Sequence, residues 1–168
     1  MEPIETEYKG YRFRSRLEAR WAVIFEWYGV EWKYEPQGYE LESYGCYLPD
    51  FKLPNLEGLL TQTTPARDPG LWVEVKGGEP TKDELGKIRA LARKTPLPSA
   101  VVCGVQDESD AWLYPHHGGQ PMKTTTVNVL SYLMAHNFKH ALYGECLEAE
   151  SALKQGRSAR FEHGEKPV

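Results

Sequence analysis

No apolar run in this sequence is long enough for a helical membrane span: the longest, such as Ala22 to Phe25 and Ala100 to Val105, fall far short of the roughly 18 residues required. Cysteine is scarce. Cys46, Cys103 and Cys146 are odd in number, far apart and never in a C-x-x-C pair, which excludes a disulfide framework and a four-thiolate metal site and leaves buried thiols as the default. The opening residues, Met1-Glu2-Pro3-Ile4-Glu5, lack the basic and then apolar segments of a secretory signal, so a cytoplasmic location is expected. A basic excess is also missing, since 20 Lys and Arg stand against 24 Asp and Glu for a net charge of −4; nothing overall advertises a nucleic-acid binder. Nor is there an internal repeat, a low-complexity tract, a P-loop, a G-x-G-x-x-G or an H-E-x-x-H.

What is present is the material of one core. The chain has 168 residues, 40% of them hydrophobic and 26% charged, which fits a single soluble domain able to bury a core without disulfides or structural metal. The bland net charge hides local bias: Arg12, Arg14, Arg16 and Arg20 crowd one stretch, Lys82, Lys87, Arg89, Arg93 and Lys94 a second, and Lys154, Arg157 and Arg160 a third. Each cluster taken alone reads first as a solvated face.

Tyr8 to Arg14 reads as a short strand. Ser15-Arg16-Leu17-Glu18 has the S-x-x-E form of a capping box, and Leu17, Trp21, Ile24, Phe25 and Tyr28 recur at helical spacing before Gly29. Val30 to Glu35, Gly38 to Leu41 and Gly45 to Phe51 read as a meander, and 55–70 as a long loop. Leu71 to Lys76 is rich in strand formers; Thr81 to Glu84 repeats the T-x-x-E box and opens a helix carrying Leu85, Ile88, Leu91 and Ala92. Ser99 to Val105 reads as a buried strand with Ala111 to Tyr114 as its partner, and the pattern from Thr126 is helical, ending in a loose tail at 164–168.

The chemistry-bearing segment is Glu74-Val75-Lys76. Residues two apart share one face of a strand, so Glu74 and Lys76 point together while Leu71, Val73 and Val75 point into a core. Alone, such a pair is as readily a solvated strand face. Asp50, after Pro49, sits where a strand is expected although aspartate is a poor strand former. A turn accounts for it, and so does a second role: with Glu74 on an adjacent strand it offers hard oxygens suited to Mg²⁺, beside which the Lys76 ammonium orients a water and offsets phosphate charge. Glu18 is open between its helix cap and the site, since at about 100° per residue it lies roughly 20° from Phe25, on the packed side. His116-His117 reads as a polar loop, because adjacent residues diverge, and His163 is unpersuasive as a ligand. Tyr8, Tyr11, Trp27, Trp32 and Trp72 are expected in the core more than as base-stacking platforms.

Pro49-Asp50 followed by Glu74-Val75-Lys76, with an acid on a preceding helix, resembles the PD-(D/E)xK nuclease superfamily. The wording of Tyr11 to Ala22, Trp32 to Pro36, Tyr47 to Phe51 and Trp72 to Gly77 is similar to small nucleases of bacteriophages and mobile elements. The resemblance covers about 8–105. It implies a restriction-endonuclease-like α/β fold, a central mixed sheet flanked by helices, in one domain spanning 1–168 with a core of about 8–115 and a helical C-terminal extension of about 124–163. It also implies a deoxyribonuclease, most readily an endonuclease, that uses Mg²⁺ with Mn²⁺ able to substitute. In it Asp50 and Glu74 are metal ligands, the Val75 carbonyl a third, Lys76 the water-orienting residue and Glu18 a further acid. Arg14, Arg16, Lys87, Arg89 and Arg93 become candidate phosphate contacts. The expected partner is nucleic acid, DNA first, with no membrane; a homodimer or a protein partner is left open. The rival expectation is a nuclease-like module that binds nucleic acid or protein without cutting.

Overall fold

The computed structural model describes residues 4–54, 70–106, 108–116, 118–130, 145–159 and 161. The stretch expected to be one strand is a hairpin, β1 (Thr6–Tyr8) against β2 (Tyr11–Phe13). Its two-residue turn, Lys9-Gly10, has φ of 49° and 79°, the left-handed pair whose twist matches that of the flanking strands. Helix α1 (Arg16–Trp27) is capped by Ser15, whose hydroxyl accepts from the Glu18 amide. It stops at Gly29, with φ 63°, where the Val30 amide reaches back to the Phe25 carbonyl and the Gly29 amide to that of Glu26, a Schellman ending.

The next strands are β3 (Lys33–Tyr34), β4 (Tyr39–Leu41), β5 (Gly45–Tyr47) and β6 (Phe51–Pro54). The expected Val30–Glu35 strand shrinks to two residues because Glu35 takes φ 43°, which breaks an extended run, and Pro36 follows. Strand β7 (Gly70–Lys76) leads through α2 (Lys82–Lys94) to β8 (Ser99–Cys103), then β9 (Asp110–Tyr114) and β10 (Met122–Thr125). Thr81 and Glu84 complete the reciprocal capping box of α2. A helix α3, of which 126–130 are described, and α4 (Glu145–Ser158) follow.

Six strands form a mixed sheet in the order β10-β9-β8-β7-β6-β3, while β4 and β5 pair separately. All neighbours in the sheet are antiparallel except β7 and β8, the pair whose parallel run requires the α2 crossover. Helices cover both faces. On one, Leu71, Val73 and Val75 of β7 join Trp21, Ile24 and Phe25 of α1 and Ala152 and Leu153 of α4 in the main core; on the other, Trp72 packs with Leu91 of α2, and Ile88 and Ala92 pack on Val101 and Trp112.

Three expectations change. Strand β10 falls outside the core boundary of 8–115, hidden in sequence by its polar content. The helical C-terminal segment is not an appendage: Val129, Leu130, Ala152 and Leu153 belong to the main core. A Cβ on Gly156 would lie 2.6 Å from Ile24 Cγ1, so α4 is seated directly on α1. Asp50 is not within a strand but ends one residue before β6. The loop expected over 55–69, the helical segment over 131–144 and the tail at 164–168 lie outside the described residues, as do His117 and His163. No helix among the described residues is long and apolar enough to cross a membrane.

Candidate active site

Asp50 and Glu74 meet where β6 begins and β7 nears its end. Phe51 pairs with Val73, so the residue before it lies beside Glu74, and the Val75 amide donates to Asp50 Oδ2 at 2.8 Å. Both carboxylates are buried, Asp50 at 4% exposure and Glu74 at 7%. Burial first, then the neighbouring Glu74 charge and more weakly Glu18, hold the Asp50 carboxyl well above its usual range, against the Val75 amide and Arg14, which favour its ionised form. The N–H and C=O of a strand residue point to the same side, so the Val75 carbonyl also faces the Asp50 side, beyond the last β6–β7 pair.

Glu74 and Lys76 share the α2 face of β7, as their spacing predicts, but not as a solvated pair. Lys76 Nζ is 2.9 Å from Glu74 Oε1 and 2.9 Å from Glu84 Oε1. The other Glu74 oxygen accepts from the Tyr47 hydroxyl at 2.6 Å. Burial and the adjacent Glu74 raise the Tyr47 hydroxyl pKa far above its ordinary value. Lys76 is also raised: burial alone would lower it, but Glu74 and Glu84 together outweigh that. Glu84 is held down at about 2, first by the Thr81 amide and then by Lys76. One carboxylate thus caps α2 with one oxygen and fixes the lysine with the other.

Glu18 reconciles its two readings in an unexpected form. It is 8% exposed and its own amide donates to Ser15 Oγ, but its carboxylate does not reach the Ser15 amide that a capping box would use. It accepts instead from the Ser15 hydroxyl at 2.7 Å, the Tyr34 hydroxyl at 2.5 Å and the Arg14 amide at 3.2 Å. Donation to Glu18, after burial, pushes the Tyr34 hydroxyl above its ordinary pKa. Arg14 links this acid to the others. Its side chain lies 2.9 Å from Asp50 Oδ1 and 2.5 Å from Glu35 Oε1, and the Glu35 amide donates to the Asp50 carbonyl at 2.8 Å. The result is one connected cluster: Glu18, Glu35, Asp50 and Glu74 with Arg14 and Lys76 between them.

The remaining candidates divide. Arg14 is in the cluster, spent on carboxylates rather than presented to phosphate. Arg16 is half-buried on the first turn of α1. Lys87 pairs with Asp83 at 2.9 Å, and Arg89 and Arg93 lie on the flank of α2 that bears Gly86, away from Glu84. Trp72 is core, whereas Tyr11 and Trp27 are 41% and 52% exposed, and Tyr11 packs against Trp32 with centroids 4.9 Å apart. Of the thiols, Cys103 is buried but Cys46 is exposed, against the expectation. Sequence reasoning missed Tyr34, Glu35, Tyr47 and the site role of Glu84. Tyr34 and Tyr47 stand in the stretches that carry the resemblance, and that was their only signal.

The donor chemistry suits a hard divalent cation. Asp50, Glu74 and Glu18 offer carboxylate oxygen without thiolate or imidazole, and the repulsion that raises Asp50 is the kind a bound Mg²⁺ relieves. As the side chains stand, no three His, Cys, Asp or Glu among the described residues form a group able to hold an ion; the fit is one of chemistry, with Arg14 and Lys76 on the acid oxygens. Set against protein-family models, curated proteins and solved structures, the chain matches none.

Proposed function

We propose that this chain is a metal-dependent nuclease of restriction-endonuclease-like fold that hydrolyses phosphodiester bonds, DNA before RNA. The observation that carries the reading is the convergence of buried Asp50 and Glu74 across the β6–β7 junction with Lys76 between Glu74 and Glu84. Burying two carboxylates and an ammonium at one sheet edge is costly for a structural role alone, and such clusters concentrate at functional sites.

Asp50 and Glu74, with Glu18 behind them and the Val75 carbonyl on the same side, are the residues that would hold Mg²⁺ or Mn²⁺. Bound there, the cation supplies Lewis-acid activation of water and phosphate. Lys76, tethered by Glu84, directs a water toward phosphorus and offsets charge that develops on the phosphate. Tyr47 fixes one Glu74 oxygen and leaves the other to face the lysine. Water oxygen bonds to phosphorus as the bond to the leaving sugar oxygen breaks, and the leaving oxygen takes up a proton; no covalent enzyme intermediate is needed.

A second reading, a nuclease-like module that binds without cutting, draws on one observation: Arg14 and Lys76 already pair with Asp50 and Glu74. One assay separates the two. Supercoiled, linear, single-stranded and branched DNA, and RNA, are incubated with the protein with and without Mg²⁺ or Mn²⁺. The nuclease reading expects cleavage that needs the metal and stops with EDTA, and a Lys76→Ala chain that binds DNA but turns over poorly. Cleavage undiminished by complete metal removal, or a Lys76→Ala chain that cuts like the parent, overturns the mechanism; binding with no cleavage of any substrate selects the second reading.

A further inference from the structure

A cavity of about 720 Å³ lies on the flank of α2 away from the carboxylate cluster, walled by Leu41 to Tyr44 of the β4–β5 turn and by Tyr114, Gln120 and Pro121. At about 100° per residue, Gly86 is roughly 160° around the helix from Glu84, so the helix separates this cavity from Lys76. Its lining carries Lys82, Arg89, Arg93 and Lys94 against the single acid Glu42, a formal +3 from four cations less one carboxylate, within a chain whose net charge is −4.

These cations are not neutralised where they stand. The Arg89 Nε–H donates to the Gly118 carbonyl at 2.8 Å and Lys94 Nζ to the Glu40 carbonyl at 2.5 Å, acceptors that carry no charge. Lys82 and Arg93 make no ion pair or side-chain hydrogen bond among the described residues. The acids of the first turn of α2 are used elsewhere, Asp83 on Lys87 and Glu84 on Lys76. The walls are held by close approach. A Cβ on Gly86 would fall 2.1 Å from Tyr44 Oη, and one on Gly118 would fall 2.1 Å from Arg93 Cγ; the turn that gives Gly118 φ 64° also presents its carbonyl to Arg89.

We propose that this cavity is a binding site for phosphate groups carried on a ligand of nucleotide size. Guanidinium and ammonium groups together favour phosphate oxygens, and the volume exceeds what a bare phosphate fills. A free nucleotide and a nucleic-acid strand offer this same chemistry. The strand source rests on the nuclease reading; the nucleotide source does not.

The test uses the full chain carrying Asp50→Asn, so that nothing is cut, and titrates ADP and, separately, a fluorescent single-stranded oligonucleotide at two salt concentrations. Lys82→Gln and Arg93→Gln are added singly; both residues are exposed, and a matching melting temperature establishes that each variant is folded. Either ligand binding with salt-sensitive affinity, and losing about tenfold or more in each variant, supports the site. Loss with ADP identifies a free nucleotide, and loss with the oligonucleotide alone identifies a strand. No binding of either ligand, or affinities unchanged in both variants, overturns the proposal. The nuclease reading is judged apart from this, by metal-dependent cleavage with the unsubstituted chain.

Discussion

Asp50 concentrates the conflict between stability and function at the level of one side chain. Its carboxyl is buried beside Glu74 and held above its ordinary pKa of 3.8, so the ionised form opposes folding. The sign follows from linkage: a carboxyl raised in the folded state costs nothing below its unfolded pKa, and the cost grows as pH rises through the folded value. Asp50→Asn, measured in EDTA, is therefore expected to match the parent near pH 3 and to melt higher at neutral pH, by about 2–4 °C for each kcal/mol relieved, while losing Mn²⁺ binding by calorimetry. A lower neutral melting temperature would mean that the Arg14 and Val75 contacts outweigh the repulsion. Glu18 makes the complementary case. Glutamine keeps an oxygen for the Tyr34 hydroxyl and the Arg14 amide and turns its amide toward Ser15 Oγ, so Glu18→Gln should cost no more than about 1 kcal/mol. Melting and cleavage are read on the same sample: a near-parental melting temperature with a rate reduced by orders of magnitude assigns Glu18 to the metal side, and a near-parental rate returns it to α1.

At the scale of elements, the sequence was most legible where one local rule acted without competition. The Thr81-x-x-Glu84 box opens α2 as expected, and the apolar run over Ser99 to Val105 marks β8. Legibility failed where a tertiary neighbour decided the outcome. Ser15-x-x-Glu18 has the same spelling as the second box, yet Tyr34 and the Arg14 amide draw its carboxylate away from the helix end. Tyr47 and Glu35 entered the site only because the start of β6 and the end of β3 lie beside Glu74 and Asp50, a register that no periodicity encodes. The α1–α4 contact is of the same kind and can be tested directly. A methyl at Gly156 would meet Ile24, which is fully buried and has no room to yield. Overpacking of about 1–3 kcal/mol is set against a helix-propensity gain of about 1, so Gly156→Ala should be destabilised by about 1 kcal/mol and Gly156→Leu by more. Urea midpoints that rise for both would show that α4 does not press on α1.

For the molecule as a whole, the two sheet faces divide the labour. The α2 face carries Glu74, Lys76 and Glu84 together with the cation-lined cavity, while the opposite face holds the main core beneath α1 and α4. The expected boundary near residue 115 failed because the resemblance ended at about residue 105 and local patterning offered no reason to tie later helices to earlier strands. The structure supplies the reason. Val129, Leu130, Ala152 and Leu153 fill the core shared with β7 and β8, and the Arg157 guanidinium donates to the Val105 carbonyl at 2.9 Å, next to the Gly104 carbonyl that accepts from the Trp21 indole at 3.0 Å. Removing this segment strips cover from Trp21, Ile24 and Phe25, each fully buried in the complete chain. At about 25 cal/mol per Å² of apolar surface, exposing even 300 Å² costs on the order of 7 kcal/mol, comparable to the whole stability of an ordinary domain. A chain ending at residue 125 is accordingly expected to lack a cooperative unfolding transition and dispersed amide resonances, although every proposed catalytic residue is present in it. If that shortened chain instead melts cooperatively and cleaves DNA with Mg²⁺, α4 is an accessory after all, and the fold that holds Asp50 against Glu74 is complete by β10.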